Sequence, residues 1–112
     1  MTDIYFTQNA DHKITGFICS GHSGFARRGR DIVCAAISAL TITAVNSIEQ
    51  IAVADAEVKQ DVRTGRISLH LNSEPTEKTE TILRSLLLGL KGIEAEYGGK
   101  HCKVTVKEEL QC

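Results

Sequence analysis

The sequence predicts an α+β fold, a two-layer sandwich in which two helices cover a largely antiparallel sheet. Two observations lead to this prediction. Strand-like and helical periodicities follow one another in the order ββαββαβ, and short polar turns join the strands of each predicted pair. The chain has 112 residues, 42% of them hydrophobic and 24% charged, as in an ordinary globular protein. We therefore expect a single domain over residues 1–112.

The chain opens with a predicted β-hairpin and a glycine-rich loop. Residues 4–7 and 13–20 favour strands, and the polar residues 8–12 supply the turn between them. Residues 21–30 show neither a strand nor a helix period and contain three glycines and three arginines. Because this loop is longer than a simple connection requires, it is a candidate for a functional segment.

A long apolar helix is predicted from Ile32 to about Val53, with Asp31 as its N-cap. Polar residues gather on one side of this helix, so the opposite stripe is expected to be buried. Its first half, Ile32 to Leu40, is apolar nearly all round, which indicates burial beneath the sheet, the loop or a second subunit. The residues of the predicted buried stripe are Cys34, Ser38, Thr41, Val45, Ile48 and Ala52.

The second half of the chain repeats the pattern of two strands and a helix, and then adds a strand. Residues 56–59 and 67–71 alternate, with a turn at 63–66. Residues 73–75 are predicted to open the second helix, and Gly98-Gly99 to end it. Its apolar face is formed by Ile82, Leu83, Leu86, Leu87, Leu90 and Ile93. Cys102, Val104 and Val106 alternate with polar residues in a final strand.

Charge and segment composition exclude several classes of function. The formal net charge is −1, so no general attraction to nucleic acid or to an anionic membrane is expected. No apolar run approaches the roughly 20 residues needed to span a bilayer, and the N-terminus does not resemble a secretory signal. We therefore expect a cytoplasmic protein whose four cysteines stay reduced and form no structural disulfide.

Cys34 is the candidate nucleophile. It follows the predicted cap Asp31 by three residues, where a helix has unpaired N–H donors and the positive end of its dipole. Such a position favours a thiolate, and the same donors would stabilise the oxyanion formed when a carbonyl is attacked. The carboxylate of Asp31 acts in two ways, since it fixes the helix start but disfavours a nearby thiolate.

His22 is the candidate acid–base partner, in the loop that precedes the helix. A neutral imidazole within reach of the sulfur takes the thiol proton and later protonates the leaving amine. The residue types alone leave a second interpretation open, because a cysteine in an apolar helix is more often a small buried hydrophobe. A histidine in a glycine loop is likewise more often simply solvated.

A resemblance to a known family bears on this choice. GHSGFA at residues 21–26, Gly29 and DIVCAAIS at residues 31–38 resemble the signature of the ribosomal-processing cysteine proteases, which are small bacterial proteins. The order of elements and the length fit over essentially the whole chain. Three residues differ from the family's usual pattern, with Ser23 in place of Ala, Phe25 in place of Tyr and Ile37 in place of Val. None of them is a residue that is expected to take part in the reaction.

The resemblance implies a specific activity. Members of this family remove a short N-terminal extension from a large-subunit ribosomal protein, so the precursor of that protein is the expected substrate. The family's histidine and cysteine fall on His22 and Cys34, and Gly21, Asp31 and Ser38 match as supporting residues. It further implies a homodimer. Catalysis by a thiolate and an imidazole needs no cofactor, and we expect neither a membrane nor nucleic acid as a partner.

Two other functions remain as alternatives. The chain would serve as a non-catalytic ribosome-assembly or ribosomal-protein binding factor if the loop arginines contacted phosphate, although there is no basic–aromatic interleaving. Cys19 and His22 also have a ligand-like spacing for zinc, with Cys34 or the pair His101-Cys102 completing a tetrahedron. Cys19 and Cys102 alternate with apolar strand residues, however, so both are predicted to lie in the core and no metal is expected.

Overall fold

The computed structural model describes residues 2–21, 31–61 and 63–109, with Asp31 described by its backbone alone. Within these ranges five strands and two helices follow one another in the predicted order. The strands are β1 (Thr2–Gln8), β2 (Ile14–Ser20), β3 (Ala56–Asp61), β4 (Arg66–Leu71) and β5 (Cys102–Glu108). The helices are α1 (Asp31–Gln50) and α2 (Glu77–Tyr97).

The strands form one sheet in the order β3-β4-β2-β1-β5. β1 pairs antiparallel with β2, β2 with β4, and β4 with β3, whereas β1 and β5 are parallel. The predicted α+β fold with a largely antiparallel sheet and two helices is confirmed.

The core lies between one face of the sheet and the two helices. Strand alternation places one apolar side chain from each neighbouring strand side by side on that face. Phe6 of β1 is opposite Phe17 of β2, and their ring centroids are 5.8 Å apart. Phe17 is in turn opposite Leu69 of β4, so a continuous apolar row crosses the sheet.

α1 buries part of the predicted stripe, namely Thr41, Val45 and Ile48, but its first half is oriented differently from the prediction. Its buried residues are Val33, Ile37, Thr41, Ala44, Val45 and Ile48. Ser38 is exposed and Cys34 is only partly buried. The prediction that both belong to the buried stripe is therefore wrong for Ser38 and correct only in part for Cys34. The core-facing side is rotated toward the larger Val33 and Ile37, because burying these side chains removes more apolar area from water.

α2 begins later than predicted and ends as predicted. Its N-cap is Thr76, whose side chain accepts a hydrogen bond from the Thr79 N–H, while the Thr79 hydroxyl accepts one from the Thr76 N–H. This reciprocal pair satisfies two of the helix's unpaired donors, which is why the helix starts there and not at residues 73–75. Gly98, with φ of 87°, donates its N–H to the Glu94 carbonyl and ends the helix.

α1 is strongly apolar. The segment Ile32–Gln50 has a mean hydropathy of 1.7 and, within the described ranges, is the one helix apolar and long enough to cross a membrane by composition and length. The expectation that no apolar segment approaches this length was therefore wrong. The core helix of a globular domain passes the same test, and α1 supplies Val33, Ile37 and Ile48 to the core beneath the sheet.

Candidate functional site

The predicted site residues fall at the junction between β2 and α1. Gly21 directly follows the last residue of β2, and Cys34 lies in the first turn of α1. Ser38 lies one turn further along the helix and is exposed. His22 and the rest of the loop to residue 30 lie outside the described residues, as does the side chain of Asp31. The structure thus places Gly21 at the end of β2, and Cys34 and Ser38 in the first half of α1.

Gly21 is held against the first strand. A β-carbon built on Gly21 would lie 3.3 Å from Oγ1 of Thr2, whose side chain is buried. Such a contact is tighter than ordinary van der Waals packing, so a larger residue would push the chain away from β1. Sequence reasoning did not find Thr2 as a neighbour, because only the pairing of β1 with β2 brings residues 2 and 21 together.

Cys34 differs from the other described cysteines in its exposure. Cys19 is 4% exposed and Cys102 is fully buried, whereas Cys34 is partly accessible, and none of the three is in a disulfide. Burial raises the pKa of Cys19 to about 12, with smaller contributions from the nearby Cys102 and Cys34 thiols. Burial, followed by the charges of Glu94 and Asp3, raises the pKa of Cys102 to about 11. Both are therefore protonated near neutral pH, as expected for core cysteines.

The helix start differs by one residue from the prediction. α1 includes Asp31 as its first residue and therefore does not begin after it. Cys34 is then the fourth residue of the helix and lies in its first turn, where backbone N–H groups lack partners within the helix.

The described residues contain no group of three or more His, Cys, Asp or Glu side chains that could hold a metal ion. This set leaves out His22, which the zinc hypothesis requires. Cys19 and Cys102 face the core between the sheet and the helices, as predicted from their alternation with apolar residues.

We expect Cys34 to react with iodoacetamide much faster than Cys19 or Cys102. Alkylation requires an accessible thiolate, and the two core thiols are buried with raised pKa values. Peptide mapping by mass spectrometry after short exposures at pH 7.5 measures the order of labelling. Labelling of Cys19 before Cys34 would contradict the assignment of Cys34 as the accessible thiol.

Comparison with known proteins gives a consistent match. The family model described as cysteine protease Prp matches residues 1–102. The ribosomal processing cysteine protease Prp of Staphylococcus aureus is 30% identical over 97 residues, which cover 87% of this chain and 92% of that protein. The protein of the same name from Mycoplasma pneumoniae is 37% identical over 86 residues, which cover 77% of this chain and 79% of that protein.

Solved structures of the Staphylococcus aureus protease have the same fold. Its complex with a covalently linked product peptide superposes with a TM-score of 0.85 at 28% identity, covering 96% of this chain and all of that one. Its complex with a substrate peptide gives a TM-score of 0.87 at 27% identity, with the same coverage of 96% and 100%. The family match over residues 1–102 includes every predicted site residue. The chain therefore belongs to the cysteine protease Prp family of ribosomal processing proteases.

Proposed function

We propose that this protein removes the N-terminal extension of a large-subunit ribosomal protein, with Cys34 as nucleophile and His22 as general base and acid. The observation that carries the proposal is the position of Cys34, a partly exposed thiol in the first turn of α1. The other two described cysteines are buried in the core with raised pKa values, which makes them poor nucleophiles.

The proposed reaction proceeds by acyl transfer. The imidazole of His22 takes the proton of the Cys34 thiol, and the thiolate attacks the carbonyl carbon of the scissile peptide bond. The unpaired N–H groups of the first turn of α1 stabilise the oxyanion of the tetrahedral intermediate. The imidazolium then protonates the leaving amine, and water hydrolyses the remaining thioester to restore the free thiol.

The names of related proteins support the substrate class. The relatives from two bacteria are named ribosomal processing cysteine proteases, and structures of one of them contain a substrate peptide or a covalently linked product peptide. A peptide from a ribosomal protein precursor is therefore the substrate that we propose for this chain. We further propose that it acts in the cytoplasm as a homodimer and engages the precursor without binding nucleic acid.

Incubation of the purified protein with the full-length precursor, followed by intact-mass analysis, tests the proposal. We expect the precursor to lose one N-terminal fragment of defined mass, with no other cleavage. His22→Ala should reduce the rate by at least ~100-fold, because general acid–base catalysis typically contributes about 10²–10⁴-fold.

Three results would count against the proposal. Stoichiometric binding of the precursor with no change in its mass would favour the assembly-factor alternative. Wild-type cleavage by His22→Ala would show that another group activates the thiol. A chelator control belongs in the same series, since complete loss of cleavage in EDTA would indicate metal-dependent hydrolysis.

A further inference from the structure

Thr2 occupies a position where the alternation of β1 favours an apolar side chain. It shares the core-facing side of the strand with Ile4 and Phe6, and it is only 5% exposed. Threonine is mostly exposed in globular proteins. The reaction proposed above does not use Thr2, so the burial of this polar side chain at the end of β1 has a separate cause.

The backbone of Thr2 is held from one side by β5. The Thr2 N–H donates to the His101 carbonyl at 3.0 Å, and Thr2 is in register with Cys102 in the parallel ladder. His101 donates its own N–H to the carbonyl of Gly98, the residue that ends α2, at 3.1 Å. Thr2 is therefore a buried residue whose backbone is tied to a strand and to a helix end.

On its other side Thr2 contacts the chain as it leaves β2. Asp3 pairs with Ser20 in the antiparallel ladder, so the next position outward brings the side chain of Thr2 to Gly21. A β-carbon built on Gly21 would lie 3.3 Å from Oγ1, 3.7 Å from Cγ2 and 4.0 Å from Cβ of Thr2. Within the described part of the chain, the atoms that such a β-carbon would meet first all belong to Thr2. The Thr2 side chain thus limits the path of the chain at Gly21.

The contact at Gly21 bears on the reaction because the next residue is His22, the proposed general base and acid. Consecutive Cα atoms are about 3.8 Å apart across a trans peptide bond, so a displacement of Gly21 passes directly to the backbone of His22. Proton transfer requires the imidazole to lie within hydrogen-bond reach of the thiol. A misplacement of about 1 Å in such a geometry is enough to lower a rate by about 100-fold.

We propose that Thr2 is a positioning residue, whose buried side chain fixes Gly21 and thereby the start of the segment that carries His22. The inference rests on the proposed roles of His22 and Cys34 and adds a residue from a different strand. Thr2 acts through Gly21 and not by contact with the peptide. Its shape carries the effect, because Oγ1 and Cγ2 are the side-chain atoms that face Gly21 most closely.

The pH dependence of Cys34 alkylation by iodoacetamide, measured by peptide mass spectrometry, separates this role from a purely structural one. An imidazole that takes the thiol proton lets the thiol react at lower pH, and His22→Ala removes this effect. We expect Thr2→Ala to move the alkylation profile to higher pH, in the direction of His22→Ala. In the cleavage assay its kcat should fall by about 10–100-fold with little change in KM, since the groups that bind the peptide are unaltered.

Two further variants control for the loss of a buried side chain. Thr2→Val keeps the branched shape beside Gly21, so its alkylation profile and its kcat should stay near those of the wild type. Thr79→Ala truncates a threonine that is 1% exposed and caps α2 at the other end of the sheet, where Glu80 accepts a hydrogen bond from the Ile14 N–H. This variant should lower the melting temperature without moving the alkylation profile.

A double substitution tests the contact itself. Gly21→Ala alone brings a β-carbon too close to Thr2 and should also move the alkylation profile to higher pH. With alanine at both positions the two β-carbons lie 4.0 Å apart, which is an ordinary van der Waals distance. The double variant, Thr2→Ala with Gly21→Ala, should therefore resemble the wild type more than either single variant does, as expected for residues in direct contact.

Three results would overturn the role of Thr2 while leaving the proposed reaction intact. They are a wild-type alkylation profile for folded Thr2→Ala, a Thr2→Val profile displaced as far as that of Thr2→Ala, and a double variant in which the two effects simply add. Equal profiles for the wild type and His22→Ala would instead show that His22 does not activate the thiol, and the inference would fail with that role. Thr2→Ser, which loses only the methyl group, should give a smaller shift in the same direction and takes the place of Thr2→Ala if circular dichroism shows that variant to be unfolded.

Discussion

Cys34→Ala should abolish cleavage of the ribosomal protein precursor while leaving the chain folded. No other described thiol is placed to replace the lost nucleophile, since Cys19 and Cys102 are buried. The substitution removes one sulfur from a partly exposed site, so the free energy of unfolding should fall by less than about 1 kcal/mol. Intact-mass analysis of the precursor measures the loss of activity, and thermal melting measures the stability.

Cys102→Ala is the matched control, because it makes the same chemical change in the core. Cys102 is 0% exposed, and its loss creates a cavity between the sheet and the helices, with an expected cost on the order of 1 kcal/mol or more. Its cleavage rate should stay near that of the wild type at a temperature where it is folded. A Cys34→Ala protein that still trims the precursor at the wild-type rate would show that Cys34 is not the nucleophile.

Gly16→Ala should destabilise the fold more than any other alanine substitution at a described glycine. A β-carbon at this position would lie 2.3 Å from the carbonyl oxygen of Leu69, a backbone atom of the paired strand β4. β2 is the central strand, so moving β4 away disturbs the sheet on both sides. Forced overpacking of this kind costs about 1–3 kcal/mol and sometimes more, and we expect a loss at the upper end. Urea denaturation measures the change.

Gly92→Ala is the control, for which we expect the stability to change in the opposite direction. Nothing lies within 4 Å of a β-carbon at this position in α2, and the residue is exposed. Alanine in a helix interior is more favourable than glycine by about 0.5–1 kcal/mol, so this variant should be slightly more stable than the wild type. Equal stabilities of Gly16→Ala and Gly92→Ala would contradict the close approach of β2 and β4.

The elements of the fold could be predicted because their local periodicity is clear. The alternation in residues 67–71 and 102–106 predicted the strands β4 and β5. The spacing of the leucines in α2 predicted its buried face. The rotation of α1 could not be predicted in the same way. Its first half is apolar on every side, so the sequence offers no contrast between the core face and the outward face, and Ser38 was assigned to the wrong one.

The residue types of the candidate site could be predicted from the sequence, but the positions of these residues relative to one another could not. The position of Cys34 at the start of α1 could be predicted, because the change from a glycine-rich loop to an apolar run marks the helix boundary within one segment of sequence. The contact of Gly21 with Thr2 depends on how β1 pairs with β2, and no local pattern contains it. The start of α2 at Thr76 was missed because its capping partner Thr79 is threonine, where glutamate or glutamine is the usual signal.

The parallel pairing of β1 with β5 has a consequence for when this protein can first act in a cell. β1 is an interior strand, yet its second neighbour begins one hundred residues later, with Thr2 opposite Cys102. At about 5–20 residues per second, a ribosome needs about 5–20 seconds to synthesise the intervening chain. Such non-local pairing makes folding slow, and until β5 emerges one long side of β1 has no partner. A nascent copy therefore remains incomplete at the end of the sheet that carries Gly21 until the residues of β5 have been synthesised.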